Sequence, residues 1–416
     1  MAEKSKTGKS EMICALDVGT TKIVALIAEV DEAETVRVIG AGRVPAHGLR
    51  RGVVIDTAEA QATIAQAIAE AESSADQVMG QAYVGIAGSH INSVSSKAVV
   101  AVGRSGRAIT RDDTQRALEQ AQNIAVPHNR DIIHAVPRSY TVDDQKAIQN
   151  PIGMFGYRLE VDASIITGAA SAITNLVNCV RAHGVEVTDL VLQPLASAEA
   201  ALTDDERRLG VALVDIGGGT TDLAIYLEGA AWHTNILDVG GDHFVRDVAM
   251  GLRMPYDKAE QLIKEHGAVL TEVIPHDASV RWGAFGEQAQ QVVNRRLLAE
   301  ILNARAEEVV DLVIREVKRS GYDGLLPAGV VLTGGVSQLA GFPDLSRDML
   351  QWPVRVGRPA GFASSVMDLS SPEYATAVGL LLWGMRRGSV VRVPTPPQDS
   401  TLKRIMRWIR GFVPLP

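Results

Sequence analysis

The stretch VALVDIGGGTTDLAIYLEG, residues 211–229, decides the reading of this chain. A short apolar run ends in an aspartate, three glycines and two threonines follow, and a second apolar run begins. Residues 13–30, ICALDVGTTKIVALIAEV, have the same arrangement. Short apolar runs bounded by glycine read as buried strands, so each stretch predicts two strands joined by a glycine turn. Placing Asp17-Val18-Gly19 on Asp215-Ile216-Gly217 aligns the flanking strands, with a Thr-Thr pair following in each, at a separation of 198 residues (17 to 215). That is nearly half the chain. A repeat of this period is too long for a solenoid and predicts a duplicated α/β domain.

The turns suggest their own chemistry. Gly19, then Gly217, Gly218 and Gly219, then Gly334 and Gly335 after a third apolar run (GVVLTGG, 329–335), let the backbone approach a ligand and aim N–H groups at anionic oxygens. Thr20, Thr21, Thr220 and Thr221 add hydroxyls, and Lys22 adds a fixed positive charge. Asp17 and Asp215 end their strands, where they could hold a hydrated magnesium ion, a hard cation that prefers oxygen ligands and keeps several waters. Any one such turn is as readily a plain tight hairpin. None matches G-x-x-x-x-G-K-(S/T) or G-x-G-x-x-G, so neither a Walker loop nor a dinucleotide fingerprint explains them. The duplicated pair with a third turn is much harder to attribute to chance.

Around these landmarks the 416 residues (44.4 kDa) are long enough for two or three domains. With 46% hydrophobic and 22% charged residues the chain is not disordered as a whole. A net charge of −8 and 4% aromatics argue against a general nucleic-acid binder. Cys14 and Cys179, isolated in apolar stretches, give neither a disulfide framework nor a zinc site, and point to a reducing compartment. No secretory leader or membrane-spanning run is evident. Between about 80 and 163 the texture changes. A strand-like SVSSKAVVAV and a helical stretch from Arg111 to Ala125 precede GYRLEVDASII, whose alternation places Tyr157, Leu159, Val161, Ala163 and Ile165 on one face. The block 232–294 reads as helical and polar, and Arg295 to Ser320 as one long helix.

LDVGTTK, VDIGGGTTDLAI and VVLTGGVSQLAGF resemble the phosphate-1, phosphate-2 and adenosine motifs of the actin, DnaK and sugar-kinase superfamily. LQPLASAEAAL (192–202) and YATAVGLLLWG (374–384) resemble its two connecting helices, and all five occur in the expected order. Within the superfamily the chain resembles the FtsA family of bacterial cell-division actin homologues, over about residues 11–388 plus the tail, most tellingly in HAVPRSYTVDDQKAIQNPIGMFGYRLEV (134–161).

The resemblance implies an α/β, actin-like fold of two ribonuclease-H-like halves with an FtsA-type α+β insert and a C-terminal amphipathic helix. It divides the chain into a first lobe (11–79, 164–196 and 359–387), the insert (80–163), a second lobe (197–230 and 299–358), a small helical lobe (231–298), a linker (388–400) and the tail (401–416). ATP with Mg²⁺ is the implied cofactor. Lys22, Thr20 and Gly19 would face the phosphates from one side and Gly218, Gly219 and Thr220 from the other, with Gly334 and Gly335 along the adenosine. Of the family's ribose-contacting A-E-x-x-K pattern, Ala259 and Glu260 match, but Ile263 stands at the lysine position and Lys264 follows. Gln193 lies where actins place a water-orienting glutamine, although a strand-end glutamine serving backbone groups is an equal reading. At most a weak ATPase is implied.

The implied partners are the FtsZ C-terminal peptide, met through Arg296 and Arg305, further copies of the chain in filaments, anionic membrane lipids, and later division proteins at the insert. The tail has its own pattern. On a helical wheel Leu402, Ile405, Met406, Ile409 and Phe412 share one side, with Trp408 at its edge, while Lys403, Arg404, Arg407 and Arg410 fill the other with no acid among them. That is the pattern of a helix lying in a membrane interface; a helix docked on the protein body is the plainer reading, and the proline-rich linker weakens it. The family resemblance places such a protein peripherally on the cytoplasmic face of the inner membrane at the division site. A small-metabolite kinase of the same superfamily and a pilus-assembly scaffold similar to PilM are the rival readings; neither needs the basic tail.

Overall fold

Two hairpins organise the protein, and both carry the same hydrogen bond across the turn. The computed structural model describes residues 11–387 apart from 32, 104–106, 125, 284 and 286–289. These fall almost wholly in the first of two units, Met1–Met385, the second being Arg386–Pro416. In the first half, β1 (Glu11–Val18), β2 (Lys22–Val30) and β3 (Val36–Pro45) form an antiparallel meander. A small hairpin of β4 (Leu49–Arg50) and β5 (Val53–Val54) follows, then α1 (Thr57–Ala75) and β6 (Gln81–Ile86). Asp56 caps α1 by accepting from the N–H groups of Ala58 and Glu59, and Ala60, Ile64, Ala67, Ile68 and Ala71 form its buried stripe.

The insert contains β7 (Asn92–Ala101), β8 (Arg107–Ala108), α2 (Arg111–Gln122), β9 (Arg130–Val142), β10 (Gln145–Ile148), β11 (Phe155–Gly156) and β12 (Arg158–Ala169). Its main sheet has the order β10-β9-β12-β7, and α2 covers one face. Leu159, Val161, Ala163 and Ile165 are fully buried there, as their alternation predicts. Tyr157 departs from the expectation: it lies one residue before the strand begins and is 60% exposed.

The chain returns through α3 (Ala170–Arg181), β13 (Glu186–Leu192), α4 (Gln193–Ala201) and α5 (Asp204–Leu209) into a second meander of β14 (Val211–Ile216), β15 (Thr221–Leu227) and β16 (Ala230–Leu237). Then come α6 (Gly241–Gly251), α7 (Tyr256–His266), the hairpin β17 (Ser279–Gly283) and β18 (Gln290–Asn294), the long α8 (Arg295–Ser320), β19 (Val330–Thr333), α9 (Phe342–Leu350), β20 (Val354–Val356), β21 (Phe362–Ser364) and α10 (Ala375–Arg387). The block 232–294 is therefore not simply helical. β16 is the edge strand of the main sheet, and β17 pairs with β18 from Ser279 against Asn294. Their polar residues line edges and exposed faces, where a strand need not be apolar.

The first sheet has the order β13-β6-β1-β2-β3-β21 and the second β20-β19-β14-β15-β16, so each has an antiparallel meander on one side of its central strand and parallel strands on the other. The correspondence extends to register. Asp17 pairs with Val24 and Val18 with Ile23; 198 residues later Asp215 pairs with Asp222 and Ile216 with Thr221. The N–H of Gly19 donates to Lys22 O and that of Gly217 to Thr220 O, both at 3.0 Å. At this offset the two Thr-Thr pairs are not equivalent: Thr220 occupies the place of Lys22, and Thr20-Thr21 that of Gly218-Gly219. One core joins the first sheet, α4 and α10 to one face of the second sheet (Val211, Leu213, Ala224, Tyr226 and Val331), and a second core lies under the other face of that sheet (Ala212, Val214, Leu223, Ile225 and Leu332).

Candidate functional site

The two hairpin tips meet. A Cβ added at Gly218 would lie 2.2 Å from Thr21 Cγ2, and one at Gly219 would lie 2.5 Å from Thr20 Oγ1, so only glycine permits this approach. Gly217 and Gly218 direct their carbonyls to the start of α6, accepting from Gly241 N (2.9 Å) and Asp242 N (2.8 Å). Those N–H groups would otherwise lack a helical partner, so the helix end holds the second turn in place. Between the tips is a cavity of about 60 Å³, lined by both turns and by Gly334 and Gly335 of the third. The β4–β5 hairpin crosses its rim: Gly52 N donates to Thr20 Oγ1 at 3.0 Å, and Arg51 forms an ion pair with Asp238 of the other half.

The floor is acidic. Asp17, Asp215 and Asp222 are buried. Burial pushes the Asp17 carboxyl up to about 7, with Lys22 opposing and Asp215 adding to the rise. Burial likewise raises Asp215, against hydrogen bonds from Ser197 Oγ (2.5 Å) and Thr376 Oγ1 (3.2 Å), which belong to α4 and α10. Asp222 is raised well above the usual carboxylate range, by burial and then by Asp215, and its Oδ1 is buried without a hydrogen-bond partner. Gln193, the first residue of α4, donates from Nε2 to Asp17 Oδ1 at 3.1 Å; it serves a carboxyl and not the backbone. This donor set fits a hard divalent cation, since every polar side chain of the floor offers oxygen and one carboxylate oxygen is orphaned. Among the described residues no three acidic, histidine or cysteine side chains are grouped closely enough to hold a metal ion directly.

Lys22 also lines the cavity, its Nζ 3.1 Å from Glu373 Oε2 and 5.5 Å from the centroid of the Tyr374 ring. Glu260 and Lys264 do not line this small cavity; they pair with each other at 2.6 Å on the exposed side of α7, where Glu260 lies close enough to Asp242 of α6 to add to the rise that burial gives its carboxyl. Arg296 and Arg305 do not form one patch. They are nine residues apart on α8, about half a turn out of phase, and Arg296 contacts His276 while Arg305 grips Asp247 of α6 at 2.6 and 3.1 Å and also pairs with Glu308. Residues 402–412 lie outside the described residues. Asp222, Glu373, Ser197, Thr376 and the Arg51-Gly52 tip were missed by sequence reasoning. Asp222 had a signal, an acid at the second position of an otherwise apolar strand; Ser197 and Thr376 had a fainter one, hydroxyls inside largely apolar helices.

Comparison with known proteins places this architecture in a family. The chain is 38% identical over 410 residues to the cell division protein FtsA of Pseudomonas aeruginosa, covering 96% of this chain and 98% of that protein. The chain belongs to the FtsA family of cell division proteins. It is also 31% identical over 417 residues to FtsA of Escherichia coli K12, covering 97% and 99%. Residues 212–379 match the family described as cell division protein FtsA, and residues 88–167 match the SHS2 domain inserted in FtsA. The fold is actin-like. Its solved neighbours include a PilM–PilN type IV pilus biogenesis complex (TM-score 0.67, 16% identity, 90% of this chain and 98% of that one) and MreB5 of Spiroplasma citri bound to ADP (TM-score 0.53, 16% identity, 89% and 94%). Among the described residues no helix is long and apolar enough to cross a membrane.

Proposed function

We propose that this cell-division protein binds ATP with magnesium between its two hairpin turns, self-associates, and tethers FtsZ filaments to the cytoplasmic membrane. The observation that carries the nucleotide part is the pair of turns with one hydrogen-bond pattern, meeting over a floor of buried carboxyls. The fold neighbour MreB5 was solved with ADP and with AMPPNP, which supports the same ligand class here. Gly19, Thr20, Thr21 and Lys22 would hold the phosphates from one side and Gly217 to Thr220 from the other, with Gly334 and Gly335 toward the adenosine. Asp17, Asp215 and Asp222 would hold magnesium through water, and the ion would supply positive charge to the phosphate oxygens. Gln193, its Nε2 held by Asp17 at 3.1 Å, would orient an attacking water through its amide oxygen, giving at most a weak ATPase.

The other elements of this reading rest on sequence. The tail from Leu402 to Phe412 would lie in an anionic lipid interface and keep the protein peripheral on the cytoplasmic face of the inner membrane. Arg296 or Arg305 would take the acidic FtsZ peptide, and the insert would meet later division proteins.

The test is calorimetry of ATP with Mg²⁺. Gly218→Val should weaken binding at least ~10-fold, about 1.4 kcal/mol, because its Cβ would sit 2.2 Å from Thr21 Cγ2. Unchanged affinity in a folded variant would remove this turn from the site.

A further inference from the structure

We propose that Glu373 is an internal anion competing with the phosphates of a bound nucleotide for Lys22, and so sets how tightly the cleft takes a nucleoside di- or triphosphate. This rests on the reading that the cleft binds nucleotide. Lys22 is the one lysine or arginine among the described residues lining the cavity, against four acids: Asp17, Asp215, Asp222 and Glu373. The three aspartates are pushed toward their neutral forms by burial. Glu373 goes the other way. Burial opposes its charge, but Lys22 and Arg43 together outweigh it and hold the carboxyl below its ordinary range. It is thus the anion that Lys22 holds.

The contact is built, not incidental. Lys22 Nζ and Arg43 Nη2 both reach the same oxygen, Glu373 Oε2, at 3.1 Å, and both cations lie over the Tyr374 ring at 5.5 and 5.8 Å from its centroid. The backbone under Glu373 is fixed by the third glycine turn: Gly334 N and Thr333 Oγ1 both donate to Pro372 O, at 3.2 and 3.1 Å. The carboxylate is therefore positioned from the second half, while the lysine belongs to the first turn. A phosphate that takes Lys22 must draw it from Glu373 and then lie near that negative charge. Arg43 remains with Glu373 through the exchange, so one of two ion pairs is given up and the carboxylate stays paired.

Glu373→Gln keeps the size and the acceptor for Arg43 and removes the competing charge. In the full chain, calorimetry with ATP and with ADP in the presence of Mg²⁺ should show binding tightened about two- to fivefold, the worth of a half-buried ion pair, with the gain larger at low ionic strength. The gain should vanish in a Lys22→Gln background. Arg43→Gln provides the opposite arm: Glu373 then has Lys22 alone, and both nucleotides should bind more weakly. Unchanged or weaker binding by a folded Glu373→Gln protein overturns the proposal, as does a gain that persists without Lys22. Where Glu373→Gln does not fold, unchanged affinity in Arg43→Gln overturns it. Absence of nucleotide binding by both the unaltered chain and Glu373→Gln overturns the nucleotide reading itself, and the proposal with it.

Discussion

Asp17→Asn should stabilise the protein, and by more at high pH than at low. Asp17 is 6% exposed, accepts from Gln193 Nε2, and shares its surroundings with Lys22 and Asp215. Its carboxyl rises from the ordinary 3.8 to about 7, chiefly through burial. The folded chain therefore keeps a proton that the unfolded chain releases above pH ~4, and stability falls as pH rises from there to about 7, then levels off. About three pH units at about 1.4 kcal/mol each amount to a penalty on the order of 4 kcal/mol at pH 8, about 3 of which develop between pH 5 and pH 8. Asparagine is nearly isosteric, retains an oxygen for Gln193, and carries no such penalty. Guanidinium unfolding without divalent cations should show the variant's advantage growing across that interval. Added magnesium should narrow the advantage, because a nearby cation favours the aspartate anion. Equal stabilisation at pH 5 and pH 8 would refute the assignment of a buried, proton-bearing carboxyl to Asp17.

Three further outcomes are expected. Gly379→Ala should destabilise by about 3 kcal/mol or more, read as a lowered thermal midpoint, because its Cβ would fall 1.8 Å from Ala196 O where α10 crosses α4, and backbone cannot yield as a side chain does. Arg305→Glu should lower the midpoint by breaking the grip on Asp247, and it should weaken binding of an acidic FtsZ tail peptide; unchanged peptide affinity removes Arg305 from the FtsZ surface. Ile409→Glu should abolish co-sedimentation with anionic liposomes, while a variant deficient in self-association only weakens it, since linked tails gain avidity of ~10²–10⁴; an unchanged binding curve in that variant would leave the tail as a sufficient anchor alone.

The sequence by itself determined the duplication, the strand–turn–strand chemistry and the family. Each of these is written in neighbouring residues: an aspartate, glycines and threonines between two apolar runs, recurring 198 residues apart, with the backbone pattern following from local sterics. It also located the long helix Arg295–Ser320 and the buried face of β12 from Leu159 onward, because periodicity reports one-sided burial. Edge strands escaped it. β16 and the β17–β18 hairpin are half solvated, so no clear apolar period marks them. What only the tertiary structure decided is which charges meet. Lys22 and Glu373 are 351 residues apart, Asp215 is held by hydroxyls from two separate helices, and Arg305 is occupied by Asp247. Ionisation and availability depend on burial and on partners a few ångströms away. Those neighbours are set by how the two halves and the connecting helices pack, and no local pattern encodes that packing.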